Sequence, residues 1–138
     1  MPSAIVVIVV DASAILELLL NRPAAASLRP TLFADGETLH APYLVDVEVL
    51  QVLRRYSMSG VLTDERSMLA IQAHLALPIE RYPHDPLLKR AWEMRANVTA
   101  YDAMYVALAQ ALGATLVTAD AKLAKAVAKT IRVHLAVA

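Results

Sequence analysis

The stretch IVVIVVDASAIL, Ile5 to Leu16, decides how the chain folds. Its first six residues are all β-branched and show no alternation of apolar and polar side chains, which is typical of a strand buried on both faces of a parallel sheet. The residues from Ala12 to Leu20 favour a helix that stops at Asn21-Arg22-Pro23. Asp11 therefore lies where a central strand passes into a helix. It is either a helix cap, because Asp is a favoured N-cap, or part of a ligand site, because ligands bind at this edge of open α/β sheets.

The composition predicts a single domain that carries more apolar side chains than a small monomer usually buries. The chain has 138 residues, of which 58% are hydrophobic and 5% aromatic, and a domain of this length buries about two-thirds of its unfolded surface. We expect one domain over residues 1–138 and a homodimer whose second copy covers part of the surplus. Thirteen basic and thirteen acidic residues cancel, so a polyanionic substrate would have to be bound by local charges.

Three features of the sequence bear on where the protein works. The chain contains no cysteine, which excludes disulfides and thiolate metal sites and is compatible with a reducing compartment. The N-terminus lacks the basic region of a signal peptide, and Asp11 and Glu17 interrupt the one apolar stretch long enough to suggest a membrane span. We therefore expect a cytoplasmic protein that does not enter a membrane.

Strands and helices are predicted to alternate along the rest of the chain. Further strands are expected at Thr38 to Ala41, Ile79 to Tyr82, Thr115 to Thr118 and Ile131 to Leu135. Helices are expected at Leu44 to Tyr56, Thr63 to about Leu77, Asp85 to about Arg95, Thr99 to Leu112 and Ala121 to Lys129, while Pro30 is expected to break Pro23 to Ala34 into short helical turns. This order predicts an α/β fold with a mostly parallel central sheet of four to five strands flanked by helices.

Four acids are candidates for a common site. Asp11 and Asp120 each follow an apolar strand, so both belong at the carboxyl edge of the sheet. Glu48 is the only acid on the inward face of its predicted helix, and Asp102 lies in the first turn of the helix that begins at Thr99. A capping box explains Asp102 fully and Glu48 can be a solvated helix acid, so each residue taken singly has a structural interpretation. Their convergence on one edge favours a functional one.

A cluster of carboxylates favours a bound cation. Two ionised carboxylates repel by about 4 kcal/mol at a separation of about 4 Å and an effective dielectric constant near 20, and a divalent ion removes that penalty. Only oxygen ligands are available, since the chain has neither cysteine nor a His-x-x-x-His pair. The predicted ion is therefore Mg²⁺ or Mn²⁺ rather than Zn²⁺. Acidic Mg²⁺ sites at the edge of an α/β sheet mostly serve phosphate chemistry.

Four segments of the chain form a recognisable series of motifs. They are VVDASAIL, LVDVEVLQVLRR, RAWEMRANVTAYDAMYVALA and LVTADAKLAKA. In their order and spacing these segments resemble PIN-domain ribonucleases, and they are most similar to the toxin members of VapBC-type toxin–antitoxin pairs. The resemblance covers essentially the whole chain, and its specific parts are the Tyr-Asp-Ala and Thr-x-Asp-x-x-Leu segments.

The resemblance implies a Mg²⁺- or Mn²⁺-dependent endoribonuclease, the toxin of a type II toxin–antitoxin pair, which is inhibited by a cognate antitoxin protein. The acids that would bind the metal and carry out catalysis are the four reached above, Asp11, Glu48, Asp102 and Asp120. The residues that match the family's supporting positions are Ser13, Thr118 and Asn97. All four acids are present, so nothing in the pattern suggests an inactive enzyme.

Basic side chains are less informative. Lys122, Lys125 and Lys129 recur on one face of the helix after Asp120, where they either contact phosphates of the RNA or form a solvated face. The pair Arg54-Arg55 has the same two interpretations. No base-reading element is visible in the sequence, so the RNA that is cleaved cannot be predicted from it.

Three other functions fit the sequence less well. A receiver-like signalling module has paired acids after its first strand and a lysine after its last, whereas this chain has a lone Asp11 and ends soon after Leu135. A haloacid-dehalogenase-type phosphatase requires a second Asp where Ser13 stands. A PIN-like scaffold that binds partners without cleaving has no need of four acids.

Overall fold

A five-stranded parallel sheet forms the centre of the computed structural model, which describes residues 6–138. Its strands are β1 (Val6–Val10), β2 (Glu37–Pro42), β3 (Ile79–Tyr82), β4 (Thr115–Thr118) and β5 (Val133–Leu135). They are arranged in the order β3-β2-β1-β4-β5, and every neighbouring pair is parallel. The strand predicted to be central is β1, and Ile8, Val9 and Val10 are at most 2% exposed. Ile5, where the prediction began, lies outside the described residues.

Seven helices surround this sheet within residues 6–138. They are α1 (Ala12–Leu19), α2 (Ala25–Leu32), α3 (Leu44–Met58), α4 (Asp64–Ala76), α5 (Leu88–Glu93), α6 (Ala100–Leu112) and α7 (Ala121–Val127), and a 3₁₀ turn at Asp85–Leu87 leads into α5. Helix α6 packs on β1, β2 and β4, and every residue from Ala103 to Ala109 is buried. It ends at Gly113 in the left-handed conformation (φ 60°) that the predicted cap requires. The predicted α/β class with a parallel sheet is confirmed.

The predicted break at Pro30 is wrong, because α2 runs without interruption from Ala25 to Leu32. Pro30 lies in the last turn of the helix, where its missing N–H leaves only the carbonyl of Ala26 without a helical partner. Ala26 and Pro30 are both exposed, so water can satisfy that carbonyl. Leu28 and Leu32 are buried on the opposite side and hold the helix on the core.

The register of the sheet brings the ends of two strands together. Val10 of β1 is paired with Val117 of β4, and the backbone N–H of Asp11 donates to the carbonyl of Val117 at 3.2 Å. Both chains then turn into helices, α1 after Asp11 and α7 after Asp120. The carboxyl ends of adjacent parallel strands therefore deliver both acids to one edge of the sheet.

Candidate active site

A pocket of about 750 Å³ opens at this edge of the sheet. Its walls come from α1 and the residues that follow it, from one face of α3, from the first turns of α6 and from the junction of β4 with α7. The polar side chains in its lining are Asp11, Ser13, Glu17, Arg22, Glu48, Gln51, Arg55, Tyr56, Tyr101, Asp102, Tyr105 and Asp120. All four acids that the sequence singles out therefore face one space.

Asp11 caps α1 and also lines the pocket. Its Oδ1 atom accepts hydrogen bonds from the Ala14 amide at 3.0 Å and from the Ser13 hydroxyl at 2.7 Å, so it caps α1. Its Oδ2 atom accepts from the hydroxyl of Thr118 at 2.5 Å. The side chain is only 5% exposed, and this burial raises the pKa of the carboxyl to about 6 against the opposing effect of those hydrogen bonds.

Ser13 and Thr118 connect the two strand ends through their hydroxyl groups. The Ser13 hydroxyl lies 3.2 Å from that of Thr118 and accepts a hydrogen bond from the Ala119 amide at 2.9 Å. The Thr118 hydroxyl accepts from the Asp120 amide at 3.0 Å. One continuous network thus fixes the Asp11 carboxylate and the backbone that carries Asp120.

Glu48 projects into the pocket from α3 and is held by a residue that the sequence analysis did not identify. The hydroxyl of Tyr105, on α6, donates to Oε1 of Glu48 at 2.6 Å. Tyr105 is 1% exposed, and burial together with the charge of Glu48 raises its pKa far above the usual range, so the phenol stays a donor. The available signal was its position three residues after Asp102, one helical turn along α6.

Asp102 is placed by a capping box of which only one half forms. The Thr99 hydroxyl accepts from the Asp102 amide at 3.1 Å, but the Thr99 amide makes no hydrogen bond to the Asp102 carboxylate. That carboxylate lines the pocket instead. Burial raises its pKa, and the negative charge of Asp120 adds to the shift against the opposing effect of the Thr99 hydroxyl.

Asp120 caps α7 and is the most accessible of the four acids. Its Oδ1 atom accepts from the amides of Lys122 and Leu123 at 3.0 and 3.1 Å, while its Oδ2 atom makes no hydrogen bond to any residue of the described chain. The side chain is exposed. Asp120 therefore offers a free oxygen at the mouth of the pocket.

The charge of Asp102 acts on two of the other acids. It raises the pKa of Asp11 and of Glu48, in both cases after the larger effect of burial.

The atoms that the four acids offer to a metal ion are all carboxylate oxygens, which suits a hard divalent cation. As the side chains stand, no three His, Asp or Glu residues between positions 6 and 138 lie close enough together to hold one ion. The donor set fits such an ion, while the carboxylates are spaced more widely than a single ion requires.

Asp46 is excluded from the site although it lies two residues before Glu48. Residues two apart on a helix face different directions, and Asp46 accepts hydrogen bonds from Nε and Nη2 of Arg81 at 2.8 and 2.9 Å. Nε2 of buried His74 lies 2.7 Å from its Oδ1 atom. These contacts tie α3 to β3 and α4, and so fix the helix that carries Glu48.

Of the remaining residues that the sequence singled out, all but Arg55 lie outside the pocket lining. Asn97 is exposed between α5 and α6, and Lys122, Lys125 and Lys129 are exposed on and after α7. Of the pair Arg54-Arg55, only Arg55 lines the pocket, and it is joined there by Arg22 and Tyr56. The sequence indicated none of the three as part of one site.

Residues 8–129 of the chain match the family model described as PIN domain. The chain belongs to the PIN domain family. It is 47% identical to Ribonuclease VapC9 of Mycobacterium tuberculosis in an alignment of 116 residues that covers 84% of this chain and 87% of the relative. It is 41% identical to Ribonuclease VapC12 of the same species in an alignment of 118 residues that covers 86% of this chain and 90% of the relative. The predicted family is confirmed.

Solved structures show the same PIN fold. Mycobacterium tuberculosis VapC20, described as a sarcin-ricin loop cleaving toxin, superposes with a TM-score of 0.66 at 17% identity and covers 86% of this chain and 94% of that one. VapBC2 from Rickettsia felis, solved with a DNA fragment from its promoter, superposes with a TM-score of 0.70 at 14% identity and covers 94% of this chain and 98% of that one.

The strand order β3-β2-β1-β4-β5 differs from the 2-1-3-4-5 order of receiver domains. Within residues 6–138, none of the helices has the length and apolar character needed to span a membrane.

Proposed function

We propose that the chain is a metal-dependent endoribonuclease, the VapC-type toxin of a type II toxin–antitoxin pair, and that the pocket is its active site. The observation that carries the proposal is the meeting of Asp11, Glu48, Asp102 and Asp120 in one pocket of a PIN fold. The relatives named as VapC ribonucleases, at up to 47% identity, support the reaction. The assignment of residues 1–138 to a single domain and of the protein to the cytoplasm are parts of the same proposal.

The four acids are the residues that would hold Mg²⁺ or Mn²⁺. A bound ion would neutralise the cluster, polarise the phosphodiester oxygens and supply a nucleophilic water near neutral pH. The raised pKa values of Asp11, Glu48 and Asp102 support this assignment, because burial and, after it, the charge of a neighbouring acid disfavour ionisation that a divalent cation would favour. Glu17 also lines the pocket and adds a fifth carboxylate to it.

The four acids have different roles in this proposal because their carboxylates are held by different numbers of hydrogen bonds. Asp11 has hydrogen bonds to both of its oxygens and serves as the fixed point of the site. Glu48 has one oxygen held by Tyr105, so its Oε2 atom is directed by a buried donor. Asp102 and Asp120 stand nearer the opening, where a carboxylate oxygen is available to orient a water molecule or to accept its proton. Ser13 and Thr118 position Asp11. Asn97, which is exposed and outside the pocket lining, is also proposed as a supporting residue.

Cleavage of total cellular RNA tests this function directly. The purified chain is incubated with the RNA in Mg²⁺, in Mn²⁺ and in EDTA, and the ends of the fragments are mapped. We expect discrete cleavage with either metal and none in EDTA. Absence of cleavage by a folded wild-type protein in every condition, or equal cleavage in EDTA, would overturn the proposal.

Two protein partners complete the proposal. The family membership supports a cognate antitoxin that covers the pocket, and the exposed apolar side chains support a second copy of the chain. Val47, Leu50, Trp92 and Tyr101 are each more than half exposed, and exposed apolar side chains that lie together can mark a surface for a protein partner.

A further inference from the structure

The pocket has a basic end as well as an acidic one, and both lie on the same face of α3. Glu48, Gln51, Val52, Arg55 and Tyr56 are spaced at i, i+3, i+4, i+7 and i+8, and all five line the pocket. At 1.5 Å per residue, Arg55 lies about 10 Å along the helix axis from Glu48. The helix therefore leads from the proposed metal ligands to a separate cationic region.

Arg22 reaches this cationic region from the end of α1. Asn21 turns the chain through a left-handed conformation (φ 50°), and the Arg22 amide donates to the Glu17 carbonyl at 2.9 Å. The Arg22 guanidinium carbon then lies 4.9 Å from the centre of the Tyr56 ring. The guanidinium therefore makes a cation–π contact with the Tyr56 ring, which holds it beside that ring.

Neither arginine has its hydrogen-bond donors occupied by the rest of the described chain. Over residues 6–138, the guanidinium groups of Arg22 and Arg55 form no ion pair and no hydrogen bond, although five acids line the same pocket. Arg81 and Arg90, by contrast, are paired with Asp46 and Glu93. The two groups in the pocket keep all their donors for a ligand, and a guanidinium is suited to bidentate contact with a phosphate.

We propose that Arg22, Arg55 and Tyr56 form a binding site for the RNA nucleotide that lies next to the cleaved phosphodiester. In this arrangement Arg55 contacts the flanking phosphate, and the free face of the Arg22 guanidinium stacks on the base, with Tyr56 behind it. Unpaired RNA bases stack on aromatic rings and on guanidinium planes. The inference rests on the proposed ribonuclease function.

Two properties of the molecule favour RNA as the occupant. A pocket of about 750 Å³ is far larger than a metal ion needs and falls in the size range of small-molecule sites. The chain carries no net charge, so a polyanion close to an acidic cluster depends on specific cations for its affinity. Arg22 and Arg55 are the only Arg or Lys side chains in the lining of the described pocket.

The test compares Arg55→Gln and Arg22→Lys with a control variant, Arg54→Gln. Arg54 is the residue before Arg55 on α3, and it is exposed and outside the pocket lining. Binding of a fluorescein-labelled oligouridylate is followed by anisotropy in Mg²⁺, with Asp102→Asn present in every protein so that the probe is not cleaved. We expect Arg55→Gln to lower the slope of log Kd against log salt by about 0.7, the loss of one phosphate contact to a single strand. Arg22→Lys keeps the charge and loses the stacking plane, so its Kd should rise about tenfold with an unchanged slope.

The same three changes in the otherwise wild-type protein separate failure of this inference from failure of the function. We expect KM for total RNA to rise and kcat to stay near wild type in the two pocket variants only. If the wild-type protein cleaves RNA and the pocket variants match Arg54→Gln in Kd, salt slope and KM, the nucleotide site is overturned while the ribonuclease stands. Unchanged RNA binding with weakened antitoxin binding would assign the arginines to the protein partner and would likewise overturn it.

Discussion

The hydroxyl of Tyr105 and the carboxylate of Glu48 meet at 2.6 Å, joining α6 to α3 across the floor of the pocket. The two residues are 57 positions apart in the chain. Because the phenol is buried and stays protonated, it orients one carboxylate oxygen and leaves the other to the pocket. Removing one oxygen atom from Tyr105 should therefore change the proposed metal site without changing its proposed ligands.

We predict that Tyr105→Phe weakens the stabilisation of the protein by Mn²⁺. Glu48 becomes free to rotate, and the lost bond to a charged acceptor costs about 1.5–3 kcal/mol of unfolding free energy. The measurement is the rise in melting temperature with Mn²⁺ concentration. Tyr82→Phe is the control, since it removes a hydroxyl 2.7 Å from Nδ1 of His40, outside the pocket lining. Identical Mn²⁺ responses in the two variants would contradict a positioning role for Tyr105.

We predict that Asp102→Asn abolishes cleavage and leaves the protein folded. The change removes a charge from the acidic cluster and keeps the size of the side chain, and the Thr99 cap uses only the backbone amide of residue 102. Cleavage of RNA and the melting temperature are measured together, with Asp35→Asn at an exposed turn as the control. Cleavage at a near wild-type rate would remove Asp102 from the site.

The pH dependence of stability should reveal Asp11. Burial raises its pKa from 3.8 to about 6 in the folded protein, so the folded state binds the proton more tightly than the unfolded state. This contribution to stability is complete below about pH 4 and is lost as the pH rises through about 6, up to a total of about 3 kcal/mol. We expect the unfolding free energy of the wild-type protein in EDTA to fall over this range relative to Asp11→Asn, and Mg²⁺ to suppress the fall. A flat difference curve would contradict the burial of an ionised Asp11.

We predict a homodimer in solution, because several large apolar side chains outside the pocket are exposed in the described chain. Trp92 and Leu88, both on α5, are 67% and 55% exposed, and a stable two-fold interface buries about 800 Å² on each partner. The check is the molar mass by light scattering at micromolar concentration. A monomeric mass at that concentration would show that these side chains serve another partner.

The antitoxin should inhibit by placing an arginine among the four acids. A guanidinium forms bidentate hydrogen bonds with carboxylates and does not lose its proton there, while apolar anchors beside α3, where Val47 and Leu50 are exposed, would supply most of the affinity. We expect Mn²⁺ to relieve inhibition by the wild-type antitoxin and to have less effect on an antitoxin whose arginine is replaced by alanine. Equal inhibition by both at every Mn²⁺ concentration would exclude competition with the metal.

The order of the strands and helices could be predicted because a local sequence pattern indicates each of them. The unbroken apolar run of β1 marks the central strand, and the acids after β1 and β4 mark its functional edge, since strand ends in a parallel sheet share one side. Tyr105 could not be predicted, because its partner Glu48 is on another helix and the contact depends on how α3 and α6 pack. The contact of Arg22 with Tyr56 has the same origin. Pro30 was misjudged because the cost of a proline depends on its turn of the helix and on solvent access.

Asp11 and Asp102 differ in how much of the fold depends on them, and this difference has a consequence inside the cell. The Asp11 side chain accepts hydrogen bonds that close the junction of β1, α1 and β4, so a replacement that cannot accept them, such as Asp11→Ala, is expected to lower the amount of folded protein together with any activity. The cap formed by Thr99 uses only the backbone amide of Asp102, so we expect replacement of the Asp102 side chain to leave folded copies that do not cleave RNA. Such copies compete with wild-type chains for the antitoxin and can free active toxin, whereas copies that fail to fold cannot bind it.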